Sequence, residues 1–348
     1  MSRRARPFSL IPFAAGLLLL LLVHAPGAAS PPRVPVPSPA LVHVKLLSTR
    51  FLSFAPLAIA RAEGYFRAQG LDVEMVPLVS SADAAALLIR GDLDVATGVL
   101  KIADFNAIAR GAAVRLVADK GHFEPGTCPV SAFVARPGFF DGKGGNGPDR
   151  IRGARFAVVP FHFMEYALET LLGRSGLTLA DLKLARIPGS TVAEAFGAGS
   201  LDLGELTEPD LSRVVKSGRG VVWKDLQEIL PGAQHSAVYF GPRLLGRDRD
   251  AGRRFMVAYL QGVRQYNRGK TPRNLDILAA ETGLDRELLG TACWSSIRGD
   301  GKIDVASVVD FQRWAVGRAA LDAVVPPERF WDPSFAEEAN RVLGPPAP

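Results

Sequence analysis

Short apolar runs alternate with glycine-terminated helical stretches from Leu46 to Gly111. Leu46-Leu47-Ser48-Thr49 reads as a strand, Pro56 to Gln69 as a helix ended by Gly70, and Leu71-Asp72-Val73-Glu74-Met75-Val76 as the next strand. Ser80-Ser81 opens a second helix that ends at Arg90-Gly91, and Leu93-Asp94-Val95-Ala96 follows as a strand. A third helix from Lys101 to Arg110 stops at Gly111, before Val114-Arg115-Leu116-Val117-Ala118. This rhythm predicts βαβ units and a mostly parallel sheet. Glycine just past each helix supplies the left-handed residue that satisfies the last carbonyls. Such sheets bind ligands beyond the carboxyl ends of their strands, so Ser48 to Ser53, Ser80-Ser81 and Thr97-Gly98 are expected to share one rim.

The pattern lapses over Pro137 to Pro148, a glycine-rich stretch, and then restarts. Arg155-Phe156-Ala157-Val158-Val159 is a strand, Pro160 turns into a helix from Phe163 to Arg174, and Leu184-Ala185-Arg186-Ile187 is the next strand. Thr191 caps a short helix, Leu201 to Leu206 is a strand, Pro209 begins a helix to Ser217, and Gly220-Val221-Val222-Trp223 is the last strand of this half. Ala237 to Phe240 reads as a return segment. From Asp250 the spacing is helical, with Phe255, Tyr259 and Val263 on one face, and further helices over Leu275–Thr282 and Val305–Ala319 end near Leu343. The C-terminal helices are expected to pack on the first unit. The chain therefore divides into lobe 1 (41–130), lobe 2 (131–236) and a return to lobe 1 with C-terminal helices (237–348). Two lobes on two crossings can close by hinge bending, with Cys128 to Val134 and Gln234 to Phe240 as hinge candidates.

The N-terminus changes the picture of location. Arg3, Arg4 and Arg6 precede an apolar core densest over Leu17 to Val23, and Gly27-Ala28-Ala29 offers small residues for cleavage after Ala29 or Ser30. This reads as a secretory signal over 1–29, followed by a disordered proline-rich lead-in over 30–40. No cysteine stands at the cleavage point, so a free periplasmic protein is expected. Lys+Arg 41 against Asp+Glu 35 gives +6, which falls to +3 without the three signal arginines, and this gives no case for nucleic acid. The chain is long enough for two domains that bury roughly three quarters of their unfolded surface. Cys128 and Cys293 could pair in an oxidising compartment or remain buried small hydrophobes, and their separation in sequence decides nothing. Neither a CxxC motif nor a His/Cys cluster supports a metal or haem, so no metal and no cofactor is expected.

Leu57-Ala58-Ile59-Ala60-Arg61-Ala62-Glu63-Gly64-Tyr65-Phe66 followed by Gly70-Leu71-Asp72-Val73-Glu74 resembles the first helix and second strand of the nitrate, sulfonate and taurine type of ABC-transporter substrate-binding proteins. That group shares its domain with the thiamine-pyrimidine (THI5/NMT1-like) proteins. The resemblance continues through Leu87 to Ala96 and Ala109 to Val114, and through Glu205-Leu206-Thr207-Glu208-Pro209, covering most of the mature chain. It implies an α/β type II periplasmic binding protein fold, with two lobes, two hinge crossings and C-terminal helices on lobe 1. It implies a monomer that captures a small-molecule ligand and serves an inner-membrane permease with its cytoplasmic ATPase. Carried over by position, the ligand-binding residues are Ser48, Thr49, Arg50, Phe51, Ser53, Ser80, Ser81, Thr97, Gly98, Phe161, His162, Phe163, Glu205, Thr207 and Glu208.

Chemistry supports these positions in part. Helix starts offer unpaired N–H groups to an anion, and Arg50 would add a planar cationic fork. Each also has a plain structural role: Arg50 as a solvated loop residue, Ser80 and Ser81 as caps, and Glu208 as a carboxylate favoured by a helix start. Phe51, Phe54, Phe161 and Phe163 can fill the core beneath the cleft, with at least one expected to face the ligand. Phe161-His162-Phe163 stands where the family's turn is small and hydroxyl-rich, which favours an organic ligand with a flat or apolar portion over nitrate or bicarbonate. The pyrimidine-making relatives use a lysine-bound cofactor and a cysteine-rich segment. That segment has no counterpart here, and no nucleophile elbow or Ser-His-Asp spacing stands out, so a binding protein rather than an enzyme is expected. A ligand sensor for another membrane partner is the alternative.

Overall fold

The computed structural model describes residues 40–49, 51–77, 81–142, 145–187 and 191–346. The expected signal peptide, most of the proline-rich lead-in, Arg50 and Ser80 lie outside the described residues. Ten described strands follow in chain order: β1 (Val42–Ser48), β2 (Leu71–Pro77), β3 (Val95–Val99), β4 (Arg115–His122), β5 (Ser131–Ala135), β6 (Arg155–Val158), β7 (Lys183–Arg186), β8 (Leu203–Thr207), β9 (Val221–Asp225) and β10 (Gln234–Phe240). They form two five-stranded sheets of matching design, β2-β1-β3-β10-β4 and β7-β6-β8-β5-β9. In each, the antiparallel member is the strand laid down straight after the chain crosses over: β5 against β8 and β9, β10 against β3 and β4. The remaining pairs are parallel, so each sheet carries a rim of strand C-termini. Among the described residues no helix is long and apolar enough to cross a membrane.

Several boundaries differ from the sequence expectation, each for a physical reason. The helix expected over Pro56 to Gln69 is two pieces, Ala55–Ala62 and Tyr65–Ala68, broken where Gly64 takes a left-handed φ of 74°. β1 starts earlier than expected, and β3 runs to Val99 rather than ending at Ala96. β4 does not stop at Ala118. Asp119-Lys120-Gly121-His122 looks like a polar turn in sequence, yet it continues the strand and is buried throughout. Pro209 occupies the N-cap of helix Asp210–Lys216 rather than its first turn. Most of both hinge candidates is sheet, and the links between lobes run over residues 123–130 and 226–233.

The long helix Arg249–Tyr266 buries Phe255, Tyr259 and Val263 completely, as its spacing predicts. It lies so close to helix Ala55–Ala62 that a Cβ on Gly262 would stand 2.2 Å from the Pro56 carbonyl oxygen. Helix Val305–Gly317 departs from expectation, because it touches both lobes. Its Phe311 packs 6.2 Å from Phe105 of lobe 1 and 5.4 Å from Phe163 of lobe 2, and its Trp314 indole donates to Glu169 at 2.6 Å. Cys128, on the first crossing, is joined to Cys293 in a disulfide with Cα atoms 5.7 Å apart, which ties the crossing to the C-terminal segment.

Gly262→Ala should lower the unfolding midpoint. Helix propensity gains about 1 kcal/mol, but forcing a methyl against backbone costs roughly 1–3 kcal/mol and must push the two helices apart. A thermal melt with an unchanged or raised midpoint would contradict this packing.

Candidate functional site

The C-terminal tips of β1, β3 and β4 and the N-terminal tip of β10 make the rim of lobe 1. Beyond β1, Ser48 donates to the Val76 carbonyl, and the buried Thr49 hydroxyl has no partner among the described residues. Phe51 is largely exposed, whereas Ser53 is buried in the turn Leu52–Phe54. On β3, the Thr97 hydroxyl is buried without a partner, and Gly98 faces open space, with nothing within 4 Å of where a Cβ would be. Helix Ser81–Arg90 starts at Ser81 as expected.

The rim of lobe 2 meets this one directly. Phe163 N donates to the Leu100 carbonyl and Ile102 N to the Phe161 carbonyl, both at 3.1 Å, on either side of a bridge between Lys101 and His162. Phe161 holds a φ of 55°, which non-glycine residues seldom adopt, and its ring stays exposed. Its N–H is held by Glu165. Phe163 is core, fully buried between Phe123, Tyr166 and Phe311. Further round the rim, Ser131, Thr207 and Glu205 form a hydrogen-bonded chain with links of 2.6 Å. Glu208 has its oxygens on Ser212 and on the Cys293 N–H, so its place is structural: it caps one helix and ties lobe 2 to the C-terminal segment.

The groups that sequence reasoning missed lie on the concealed end of β4 and on β10. Lys120 is 2 % exposed, and its ammonium donates to Ser53 Oγ at 2.6 Å. His235 packs across Gly121, leaves both ring nitrogens without partners, and stacks on Phe123 at 4.6 Å. Beneath them the fully buried Asp119 takes hydrogen bonds from Gly121 N, Gln234, His122 and Arg298 N at 2.6–2.8 Å. Burial pushes Lys120 down to about 7, against a weaker upward pull from Asp119. Burial likewise holds His162 and His235 near 3, so both imidazoles are neutral at pH 7, and it raises Glu205 to about 7. The site thus joins a lysine that is only about half charged at pH 7, neutral imidazoles and free hydroxyls, with aromatic faces at its edge. Such a set can orient a small polar ligand, and among the described residues no cluster of His, Cys, Asp and Glu could hold a metal ion.

Two concavities open elsewhere. One of about 440 Å³ is lined by His122, Glu124, Trp294 and Arg298, and another of about 460 Å³ lies at the opposite end of β4 beside Arg115 and Trp331. Neither is lined by Lys120, Ser53, Thr97 or His162.

Two sheets of this order, each with its crossing strand inserted antiparallel and with facing rims, define the type II periplasmic binding protein fold. The chain belongs to the NMT1/THI5-like family, whose profile matches residues 52–267. Among curated proteins none matches the sequence. The ligand-binding component of an ABC-type import system from Staphylococcus aureus, solved with zinc bound, superposes with a TM-score of 0.72 at 17% identity, covering 86% of this chain and 99% of that one. The periplasmic nitrate-binding protein NrtA from Synechocystis PCC 6803 gives 0.68 at 13%, covering 87% and 89%. The periplasmic aliphatic sulphonate-binding protein SsuA from Escherichia coli gives 0.66 at 15%, covering 85% and 93%.

The imidazoles make a pH prediction. The unfolded chain protonates them near 6.5 and the folded chain only near 3, so the unfolded state binds more protons between and stability falls as pH drops through that window. Each contributes about 1.4 kcal/mol per pH unit. Glu205 opposes them between 7 and 4.5, where only the folded chain holds its proton. In urea titrations, His235→Leu should therefore lose about 1.4 kcal/mol per unit less than the wild type between about pH 6 and pH 4. An unchanged slope would contradict the burial assigned to His235.

Proposed function

We propose that the protein is the periplasmic substrate-binding component of an ABC importer. It captures a small organic ligand between its lobes, closes over it, and presents the closed form to a membrane permease driven by a cytoplasmic ATPase. The observation that carries this reading is the convergence of unpartnered polar atoms on the meeting rims: Thr49 and Thr97 hydroxyls, His162 Nδ1 and both nitrogens of His235. Buried polar groups are nearly always hydrogen-bonded, and a cluster left unsatisfied where two lobes meet is what a ligand would complete. The family and the similarity to ABC import binding components support the same reading.

Closure follows from differential affinity. In the open form water can serve these groups, and in the closed form only a guest can, so ligand shifts the equilibrium by what it contributes to the closed state alone. The links over residues 123–130 and 226–233 are the hinge in this proposal. The exposed Phe51 and Phe161 rings, and the Glu205-Thr207-Ser131 chain on lobe 2, are the elements best placed to meet the ligand body.

Native mass spectrometry and small-angle scattering test this together. Protein isolated from a periplasm should carry one small molecule per chain, released on unfolding. The stripped, refolded chain should show a larger radius of gyration, which returns when the released molecule is added back. No retained molecule and identical scattering before and after stripping would contradict the proposal.

A further inference from the structure

The segment that follows helix Arg286–Thr291 is fastened to lobe 1. Leu289, Ala292 and Ile297 are buried in the core around the long helix Arg249–Tyr266. Trp294 stacks on Tyr266 with ring centroids 4.9 Å apart, and the Tyr266 hydroxyl donates to the Ser295 carbonyl at 2.9 Å. His122 N, at the end of β4, donates to the Ser296 carbonyl at 3.1 Å, and Arg298 N donates to Asp119 at 2.8 Å. Cys293 stands within this fastened stretch, so its disulfide with Cys128 carries the hold of lobe 1 out onto the first crossing. Beyond that bond lobe 2 begins at once. Val130 is buried, and its carbonyl accepts at 2.9 Å from the N–H of Glu208, the residue whose carboxylate also takes the Cys293 N–H. Between the two holds lies Pro129, whose ring fixes φ.

The first crossing therefore has two unequal parts. Glu124 to Cys128 are exposed, but slack in that loop cannot reach lobe 2 while the disulfide is intact. The second crossing is laced to the first beside the bond. The Gln227 amide donates to the Thr127 carbonyl at 2.9 Å, and Gly232 N donates to the Phe123 carbonyl at 2.6 Å. We propose that the Cys128–Cys293 disulfide is the pin of the hinge: it confines rotation at the first crossing to Pro129 and its flanking bonds, and so limits how far lobe 2 swings open. Reduction would release residues 124–128 into the crossing, each adding up to about 3.5 Å of reach. Cys128 is exposed, so a dithiol can attack the bond. The dithiol gives up two electrons and two protons, closes into its own disulfide, and leaves Cys128 and Cys293 as thiols. Opening is thereby coupled to the redox state of the surroundings. This goes beyond the binding reading above and rests on it only for the separation of the lobes.

The test is small-angle scattering on the full chain, stripped of any retained molecule, before and after treatment with dithiothreitol. Reduction should raise the radius of gyration and re-oxidation should restore it. The Cys128→Ser, Cys293→Ser double variant should match the reduced wild type and ignore dithiothreitol. Loss of a disulfide that closes so long a loop lowers stability, so two insertion variants that keep the bond carry the test if the reduced chain unfolds. Two glycines inserted between Cys128 and Pro129, on the lobe 2 side of the pin, should raise the radius of the oxidised chain. The same insertion between Pro125 and Gly126, on the lobe 1 side, should leave it at the wild-type value until dithiothreitol is added. Equal radii for the two insertions in the oxidised chain, or equal radii for folded oxidised and reduced wild type, overturn the pin. A chain that fails these comparisons yet retains a small molecule on isolation and releases it on unfolding overturns the pin and leaves the binding reading standing.

Discussion

Where the rims of the two lobes meet, the protein buries polar groups that it leaves without hydrogen-bond partners, and the rest of the arrangement is organised around that deficit. Beside them Lys120 sits at the end of the edge strand β4, sealed from water, with the Ser53 hydroxyl as partner. Orphan hydroxyls and imidazole nitrogens in a dry site are costly. A shut cleft with such contents is stable only if something else supplies the missing acceptors. In the binding reading proposed above, the scaffold must hold these rim groups in place while leaving the lobes free to separate.

Rigidity comes from below the rim. Asp119 gathers strand β4, the side chain of Gln234 on β10 and the segment at Arg298 into one hydrogen-bonded knot, and the Tyr259 hydroxyl of the long helix donates to its carbonyl at 2.6 Å. β10, returning from lobe 2, lies antiparallel beside β4 and so delivers His235 to the neighbourhood of Lys120. The contacts between lobes are of another kind. They include two backbone hydrogen bonds at Leu100 and Ile102, the Phe311 and Trp314 contacts to helix Phe163–Gly173, the Arg318–Glu169 and Lys216–Glu287 pairs, and the Glu208 link to Cys293, and a buried apolar cluster runs through both lobes.

The sequence disclosed the scaffold far better than the chemistry. Helices ending at Gly70, Gly91 and Gly111 were readable because a left-handed residue must stop them, and all three glycines adopt positive φ. Phe255, Tyr259 and Val263 were readable as one buried face because a long amphipathic helix has little freedom to lie otherwise. Lys120 was not readable: Asp119-Lys120-Gly121-His122 has the composition of a turn, and only pairing with a strand more than a hundred residues later keeps it in the sheet. His235 was hidden for the same reason, since its role depends on a Gly121 flat enough to lie beneath its ring. Glu208 was legible as a helix-start carboxylate, while its hold on Cys293 needed the fold. Thr97, Gly98 and His162 were legible as rim positions, because topology alone puts strand tips and the turns after them on one side of such sheets.

The most direct measurement is a crystal structure of the protein carrying the molecule it retains on isolation. The account predicts closed lobes with polar atoms of that molecule within hydrogen-bond distance, about 3 Å, of the unpartnered rim groups of Thr97, His162 and His235. Closed lobes with no guest between them, or a guest that leaves all of those groups without partners, would contradict it.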